Sequence, residues 1–365
     1  KEIRVLGSDK MTRSIIALII ALAVAYLATP LMIRLAGLVG AIDVPKDDRR
    51  VHTVPIPRLG GLAIFLGFVA GLLYYTYTGT ETDPRMLGVM TGAAVIVTLG
   101  FFDDIKPLPA KFKFFVQIIA AMIAIHSGVK IGGVTNPLSF IFPDDPYIVF
   151  GVWSYPLTIF WIVGVTNAIN LVDGLDGLAA GISAISATTL FVAALGTGQD
   201  FAATLAAILA VSTLGFLPYN FNPAKIFMGD TGALFLGYML SVISVMGVLK
   251  GAAALSIMVP IFAIGLPIFD TLFAMVRRAL SGKSMMEADK GHLHHRLLDA
   301  GMSQKQAVLT LYSISAVLGF SAIALIEVTL KVAFILVFAV FLLASMGAKY
   351  LSLIEVGQGS NKADL

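Results

Sequence analysis

The chain has 365 residues, of which 58% are hydrophobic and only 13% charged, with a mean hydropathy of +0.91 and a formal net charge of +3. Most of it is better solvated by lipid than by water, which excludes a water-soluble globular domain. No cysteine is present, so the redox compartment is left open, and nucleic acid is not among the expected partners.

Residues 1–10, with Gly7-Ser8 ahead of Met11, read as a remnant placed before a native start at Met11, and are set aside. The first apolar run, near 14–34, lacks a small-residue cleavage site and is long enough to cross a bilayer, so it is expected to be a retained helix. Further runs follow near 59–78, 86–102, 112–129, 149–169, 177–196, 201–219, 231–249, 252–276, 307–327 and 331–350. These are eleven candidate spans, and all must be helices: strand alternation is absent, and unpaired backbone groups are too costly in lipid. Between the fourth and fifth runs, "KIGGVTNPLSFIFPDDPYIVFG" has the Gly, Pro and Asn spacing of a small β-hairpin near 130–150, with Asp144-Asp145 in a solvated turn. The expectation is an all-α polytopic membrane protein with a single transmembrane domain over 11–350 and a cytoplasmic tail over 351–365.

Orientation follows from the basic residues. The loops after spans 1, 3, 5, 7 and 9 carry Lys46, Arg49, Arg50, Arg58, Lys106, Lys111, Lys113, Lys225, Arg277, Arg278, Lys283, Lys290 and Arg296. The opposite face carries Arg13, Arg85, Lys130, Lys250 and Lys331. The odd-numbered loops are therefore expected in the cytoplasm, and nearly every unusual polar cluster lies in them.

At the inner end of span 3, Asp103-Asp104 follow "VIVTLGFF" directly. Carboxylates there are costly unless paired, hydrated or metal-bound. Span 5 ends in "NAINLVDGLDGLAAG", where Asn167 and Asn170, and Asp173 and Asp176, are three apart and on helical spacing turn to one side. Capping of span 6 explains Asp176 alone. Oxygen donors without cysteine suit a hard cation such as Mg2+. In "NFNPAKIFMGDTG", Asp230 opens span 8, either as an ordinary N-cap or as a metal ligand beside a phosphate drawn to the helix N-terminus. Phe227 offers a flat aromatic face, although an interfacial anchor reads equally well. "HLHHR" gathers His292, His294, His295 and Arg296, donors that suit phosphate better than zinc; a solvated basic loop facing anionic lipid is the plainer alternative. "SGKS" at 281–284 fails as a P-loop because Arg277 stands where the first Gly is required. Gly67 and Gly71 read as helix-packing contacts. Asp270 is set to brace Arg277 or a histidine of the next loop.

Together these groups suit phosphoryl transfer between a cytosolic and a lipid reactant, where positioning and charge neutralisation matter more than a covalent nucleophile. "FFDD", "NAINLVDGLDGLAAG", "NPAKIFMGDTG" and "HLHHRL", in this order, resemble the polyprenyl-phosphate N-acetylhexosamine-1-phosphate transferases over essentially residues 11–350. The "HLHHRL" form is similar to the bacterial undecaprenyl-phosphate GlcNAc-1-phosphate branch, which starts cell-surface polysaccharide or teichoic-acid linkage synthesis; the peptidoglycan lipid I branch carries a consecutive His-His-His version and ranks second.

The resemblance implies a catalytic domain in the bacterial inner membrane with its site on the cytoplasmic face. It implies transfer of a sugar 1-phosphate from a UDP-N-acetylhexosamine to undecaprenyl phosphate, with UMP released and Mg2+ required, Mn2+ being a possible substitute; it leaves a homodimer open. Carried onto this chain, Asp230 and Asn170 become metal ligands with Asp173 and Asp176 nearby. Asn220 and Phe227 hold the uracil, and Asn167 lines the same site. His292, His294, His295 and Arg296 grip pyrophosphate and sugar, Arg49, Arg50 and His52 hold phosphate, and Asp103 and Asp104 meet the lipid phosphate. Lys106 follows the Asp pair more closely than the lipid I pattern has it, so no role is carried over to it. The second pKa of a phosphate monoester is near about 6, so the acceptor is already mostly dianionic at neutral pH; direct in-line attack is favoured over an aspartyl-phosphate. A secondary transporter would need charges near the midplane and repeated halves, and a membrane aspartyl protease would leave the histidines and arginine unexplained.

Overall fold

The computed structural model describes residues 2–45, 54–79, 83–136, 147–247, 257–280, 291–328, 332–339 and 342. Its helices are α1 (Glu2–Val39), α2 (Gly60–Tyr77), α3 (Met86–Ile105), α4 (Ala110–His126), α5 (Ser154–Val172), α6 (Leu178–Gly196), α7 (Asp200–Asn220), α8 (Gly229–Gly247), α9 (Met258–Ala263), α10 (Gly265–Leu280), α11 (Leu293–Asp299) and α12 (Gln304–Glu327). The short strands β1 (Ile42–Asp43) and β2 (Ile56–Pro57) pair antiparallel, as do β3 (Gly133–Thr135) and β4 (Tyr147–Val149). The second pair is the expected hairpin, with Val134 opposite Ile148; Asp144 and Asp145 lie outside the described residues.

Eight helices among the described residues are long and apolar enough to cross a membrane, at the positions expected for spans 1, 2, 3, 5, 6, 7, 8 and 10. The protein is thus an all-α polytopic membrane protein. The fourth run is helical too, as the 17 residues of α4. The ninth departs from expectation: one helix over 252–276 is replaced by α9 and α10, parted at Ile264. Pro267 has no N–H with which to continue the ladder from α9, and Gly265 is a poor interior residue, so the helix restarts there and changes neighbours. Both pieces meet α12, but α9 packs on α6 and α10 on α5. Of the eleventh run, residues 332–339 are helical. Arg49, Arg50, His52 and the 351–365 tail lie outside the described residues.

The bundle is organised around α8. From Thr231 to Gly247 every residue of it is buried, as expected of a helix with no polar face, and it is packed by α2, α3, α5, α6 and α7. The outer helix α1 turns Ile19, Leu27 and Leu38 outward and sets Ala21 and Ala25 against α2. A methyl on Gly67 would come 2.7 Å from the Ala25 Cβ, and one on Gly71 2.7 Å from the Ala21 Cβ. Apolar side chains gain little by leaving lipid, so close backbone approach through small residues holds these helices together. α12 begins on a capping box, with Ser303 and Gln306 satisfying each other's backbone N–H.

Candidate active site

One end of this bundle collects the polar residues. α3 ends at Asp103 and Asp104, both buried. Asp104 accepts from the backbone N–H of Asp230 (2.9 Å) and of Thr231 (3.0 Å), and from the Thr231 hydroxyl (2.6 Å). It therefore caps α8 from a different helix, and the N-cap reading of Asp230 gives way to this cross-helix cap. Asp103 accepts the Leu108 N–H at 2.7 Å and the Lys113 ammonium at 3.1 Å. Asp230, in the first turn of α8, accepts the same ammonium at 2.9 Å and the Asn170 amide at 3.2 Å. Lys113 thus bridges the carboxylates of α3 and α8, while Asn170 joins α5 to the same point.

The stretch 167–181 is not one continuous face. Asn167 and Asn170 are helical, but α5 stops at Val172 and Asp173 has left helical geometry. Asn167 turns aside: its amide donates to Gln117 Oε1 at 2.6 Å and to the Val163 carbonyl at 2.7 Å. Asp173 sits in the turn, where burial and then the negative charges of Asp230, Asp104 and Asp176 push its carboxyl up to about 8. Asp176 does not cap α6, which starts at Gly177 without a side-chain cap. It instead accepts the Asn222 amide and the Ala224 N–H, each at 3.0 Å, and Asn222 also reaches Gln304 at 2.8 Å. An Asp at this place serves the loop before α8 better than a helix whose entry a glycine with φ +77 already provides.

That loop carries the expected aromatic and amide. Phe227 donates its N–H to the Pro57 carbonyl (2.7 Å) and accepts from Gly60 N–H (3.0 Å), so its backbone is pinned to the start of α2. Asn220 is buried, donates to the Ile226 carbonyl at 2.9 Å, and its amide oxygen has no hydrogen-bond partner among the described residues.

The histidine segment forms α11 and closes over the α5–α6 turn. His292 Nδ1 lies 2.8 Å from Asp270 Oδ2 on α10, and the His292 and His294 rings stack at 5.9 Å and 11°. His295 packs on His294 with ring centroids 4.3 Å apart. A methyl on Gly174 would stand 2.6 Å from His294 Nε2, so only glycine lets the turn lie against the imidazole. Burial, then the neighbouring charge of His295, lowers the His294 pKa to about 4.

A neutral buried imidazole has a consequence for acid stability. Below the ordinary His pKa of about 6.5 the unfolded segment takes up a proton that the folded one refuses, so stability falls with pH down to about 4 and no further. The full loss is about 3 kcal/mol. Thermal midpoints measured in detergent between pH 7 and 4 should fall more steeply for the wild type than for His294→Gln; parallel curves would show that His294 carries a proton in the folded protein.

The donor set fits a hard divalent ion. Asp230, Asn170 and Asp173 offer oxygens where carboxylates outnumber nearby ammonium groups, and the charge that lifts Asp173 is the kind a cation relieves. Among the described residues no three His, Cys, Asp or Glu side chains close on a ready-made metal cage. Mg2+ needs none, since it takes one or two carboxylates and fills the rest with water and substrate phosphate.

Sequence reasoning missed two participants. Lys113 was one of three lysines in its loop and gained significance only when α4 began at Ala110, placing it in the first turn. Gln117 holds Asn167 from the same helix. Asp270, expected to brace Arg277 or a histidine of the next loop, holds His292.

A cluster of carboxylates, an ammonium, amides and imidazoles at one end of a helical bundle is of the kind that suits transfer of phosphate-bearing groups, and comparison with known proteins gives the family. Residues 86–248 match the model described as "Glycosyl transferase family 4". A Bacillus subtilis protein, "Probable undecaprenyl-phosphate N-acetylglucosaminyl 1-phosphate transferase", is 42% identical over 347 residues, covering 95% of this chain and 94% of the relative. A Mycobacterium leprae "Decaprenyl-phosphate N-acetylglucosaminephosphotransferase" is 37% identical over 82% of this chain and 80% of its own. A Staphylococcus aureus "Phospho-N-acetylmuramoyl-pentapeptide-transferase" is 33% identical over 72% and 83%. The chain belongs to this family of polyprenyl-phosphate sugar-phosphate transferases, and it is an enzyme.

Proposed function

We propose that the protein transfers GlcNAc-1-phosphate from UDP-GlcNAc to undecaprenyl phosphate, releasing UMP, on the cytoplasmic face of the bacterial inner membrane. The carrying observation is the meeting of Asp103, Lys113, Asn170 and Asp230 from four helices at one end of an apolar bundle. The basic loops support the orientation. The substrate is supported by the two N-acetylglucosamine relatives, each more similar to this chain than the muramoyl-pentapeptide one.

In this reading Asp230 and Asn170 would hold Mg2+, or Mn2+ in its place, which would supply positive charge against the donor's diphosphate. Lys113 adds a positive charge beside it. Asp104 spends its oxygens on the α8 N-terminus, so Asp103 is the carboxylate left to orient the acceptor phosphate or take its residual proton. That phosphate, already mostly dianionic, attacks the β-phosphorus in line; its oxygen–phosphorus bond forms as the bond to UMP breaks. The sugar C1–O bond stays intact, and anomeric configuration is kept. Phe227 stacks on uracil, and the unpartnered Asn220 oxygen is an acceptor of the kind its N3–H needs. His292, His295 and Arg296 grip pyrophosphate and sugar, with His294 packed against the turn at Gly174.

Purified protein given UDP-GlcNAc, undecaprenyl phosphate and Mg2+ should release UMP, with no release when lipid or metal is withheld. UMP formed only from UDP-MurNAc-pentapeptide would move the protein to the muramoyl branch that the S. aureus relative represents.

A further inference from the structure

The break between α9 and α10 leaves a carboxylate with no part in the scheme above. Asp270 lies in α10, and its side chain and that of His292 are each only 7% exposed. One carboxylate oxygen meets His292 Nδ1 at 2.8 Å, and the other accepts the Leu293 N–H at 2.8 Å. Both oxygens are thus engaged at the entry of α11, the helix that bears the histidines. A carboxylate oxygen can only accept, so the proton in the first contact belongs to the ring. On its far side the His292 ring stacks on His294, which is packed in turn against Gly174. The imidazole is held in orientation and tautomer at once.

We propose that Asp270 is a positioning residue for His292: by holding the proton on Nδ1, it leaves the Nε2 lone pair facing the donor, where it accepts from a hydroxyl of the sugar. The inference rests on the functional reading above for what His292 contacts, but not for the Asp270–His292 pairing. Such an outer partner fixes which nitrogen works and where it stands, and its removal commonly costs about 10- to 100-fold. Asn at 270 makes a sharp test. The Leu293 N–H still demands an acceptor, so the amide oxygen stays there and the NH2 turns to His292, where it donates to Nδ1 and drives the proton to Nε2.

With 15N-histidine protein in lipid nanodiscs, His292, assigned by its loss in His292→Gln, should carry a proton on Nδ1 in the wild type and lose it in Asp270→Asn. An unprotonated Nδ1 in the wild type overturns the proposal whether or not the variant folds. In the UMP assay, Asp270→Asn should lower kcat/KM for UDP-GlcNAc by about 10- to 100-fold, and should add no further loss in the His292→Gln background. Losses that multiply would mean that Asp270 acts independently of His292, which also overturns it. Absence of UMP from the wild type would sink the functional reading, while the nitrogen spectra would still decide the pairing.

Discussion

Replacing Asp230 with Ala should lower UMP release by about 10³-fold or more, in the range lost when a group that neutralises phosphoryl-transfer charge is removed. Asp230 is where the ammonium of Lys113 and the amide of Asn170 converge, so its loss strips the proposed metal of its carboxylate and leaves the donor's diphosphate without the charge that would neutralise it. Folding should be little affected. The Lys113 ammonium keeps Asp103, and the α8 N-terminus keeps its cap from Asp104. Measured with saturating UDP-GlcNAc and a Mg2+ titration, the variant should stay inactive at every metal concentration. Recovery of more than a tenth of wild-type activity would remove Asp230 from the metal site.

The adjacent aspartates should separate cleanly, although the sequence sets them side by side. Asp104→Ala deletes the acceptor for two backbone N–H groups and a hydroxyl in a buried place. At about 1–3 kcal/mol for each of the three groups left unpaired, the cost is roughly 3–9 kcal/mol, and the first turn of α8 loses its position. Asp103→Ala gives up one backbone contact and half of a shared ammonium, about 1 kcal/mol. The expected pattern is a fall of several degrees in thermal midpoint with lost activity for Asp104→Ala, and a near-wild-type midpoint with lost activity for Asp103→Ala. Equal midpoints would mean that the cross-helix cap contributes nothing to stability.

Much of the architecture was legible because lipid imposes one rule on every span: about 20 apolar residues in helical form. That rule found α1, α2, α3 and α5 to α8, and the loop signals between 130 and 150 found the β3–β4 hairpin. It failed in the ninth run, where hydropathy sees a continuous apolar stretch and cannot weigh the missing N–H of Pro267. The site was legible as composition more than as contact. Asp103, Asp230 and Asn170 could be picked as polar residues in costly places, but Asn167 and Asp176 stand out for the same reason and spend their bonds on Gln117 and on the 222–224 loop. Which partner a polar group finds depends on helices far apart in the chain, and one-dimensional spacing does not carry that. Lys113 illustrates the converse: it is unremarkable in its own loop and gains its meaning from a residue 117 positions away.

Beneath Asp230 the bundle touches through bare backbone. A methyl on Gly61 would stand 2.1 Å from the Gly232 nitrogen, and one on Gly100 would stand 2.5 Å from the Thr231 Cα, distances that a close-packed interior has no slack to absorb. Evolution therefore has little freedom to resculpt this floor without evicting the first turn of α8. A small-molecule inhibitor resting on that turn would face a surface where drug resistance has few single-step routes.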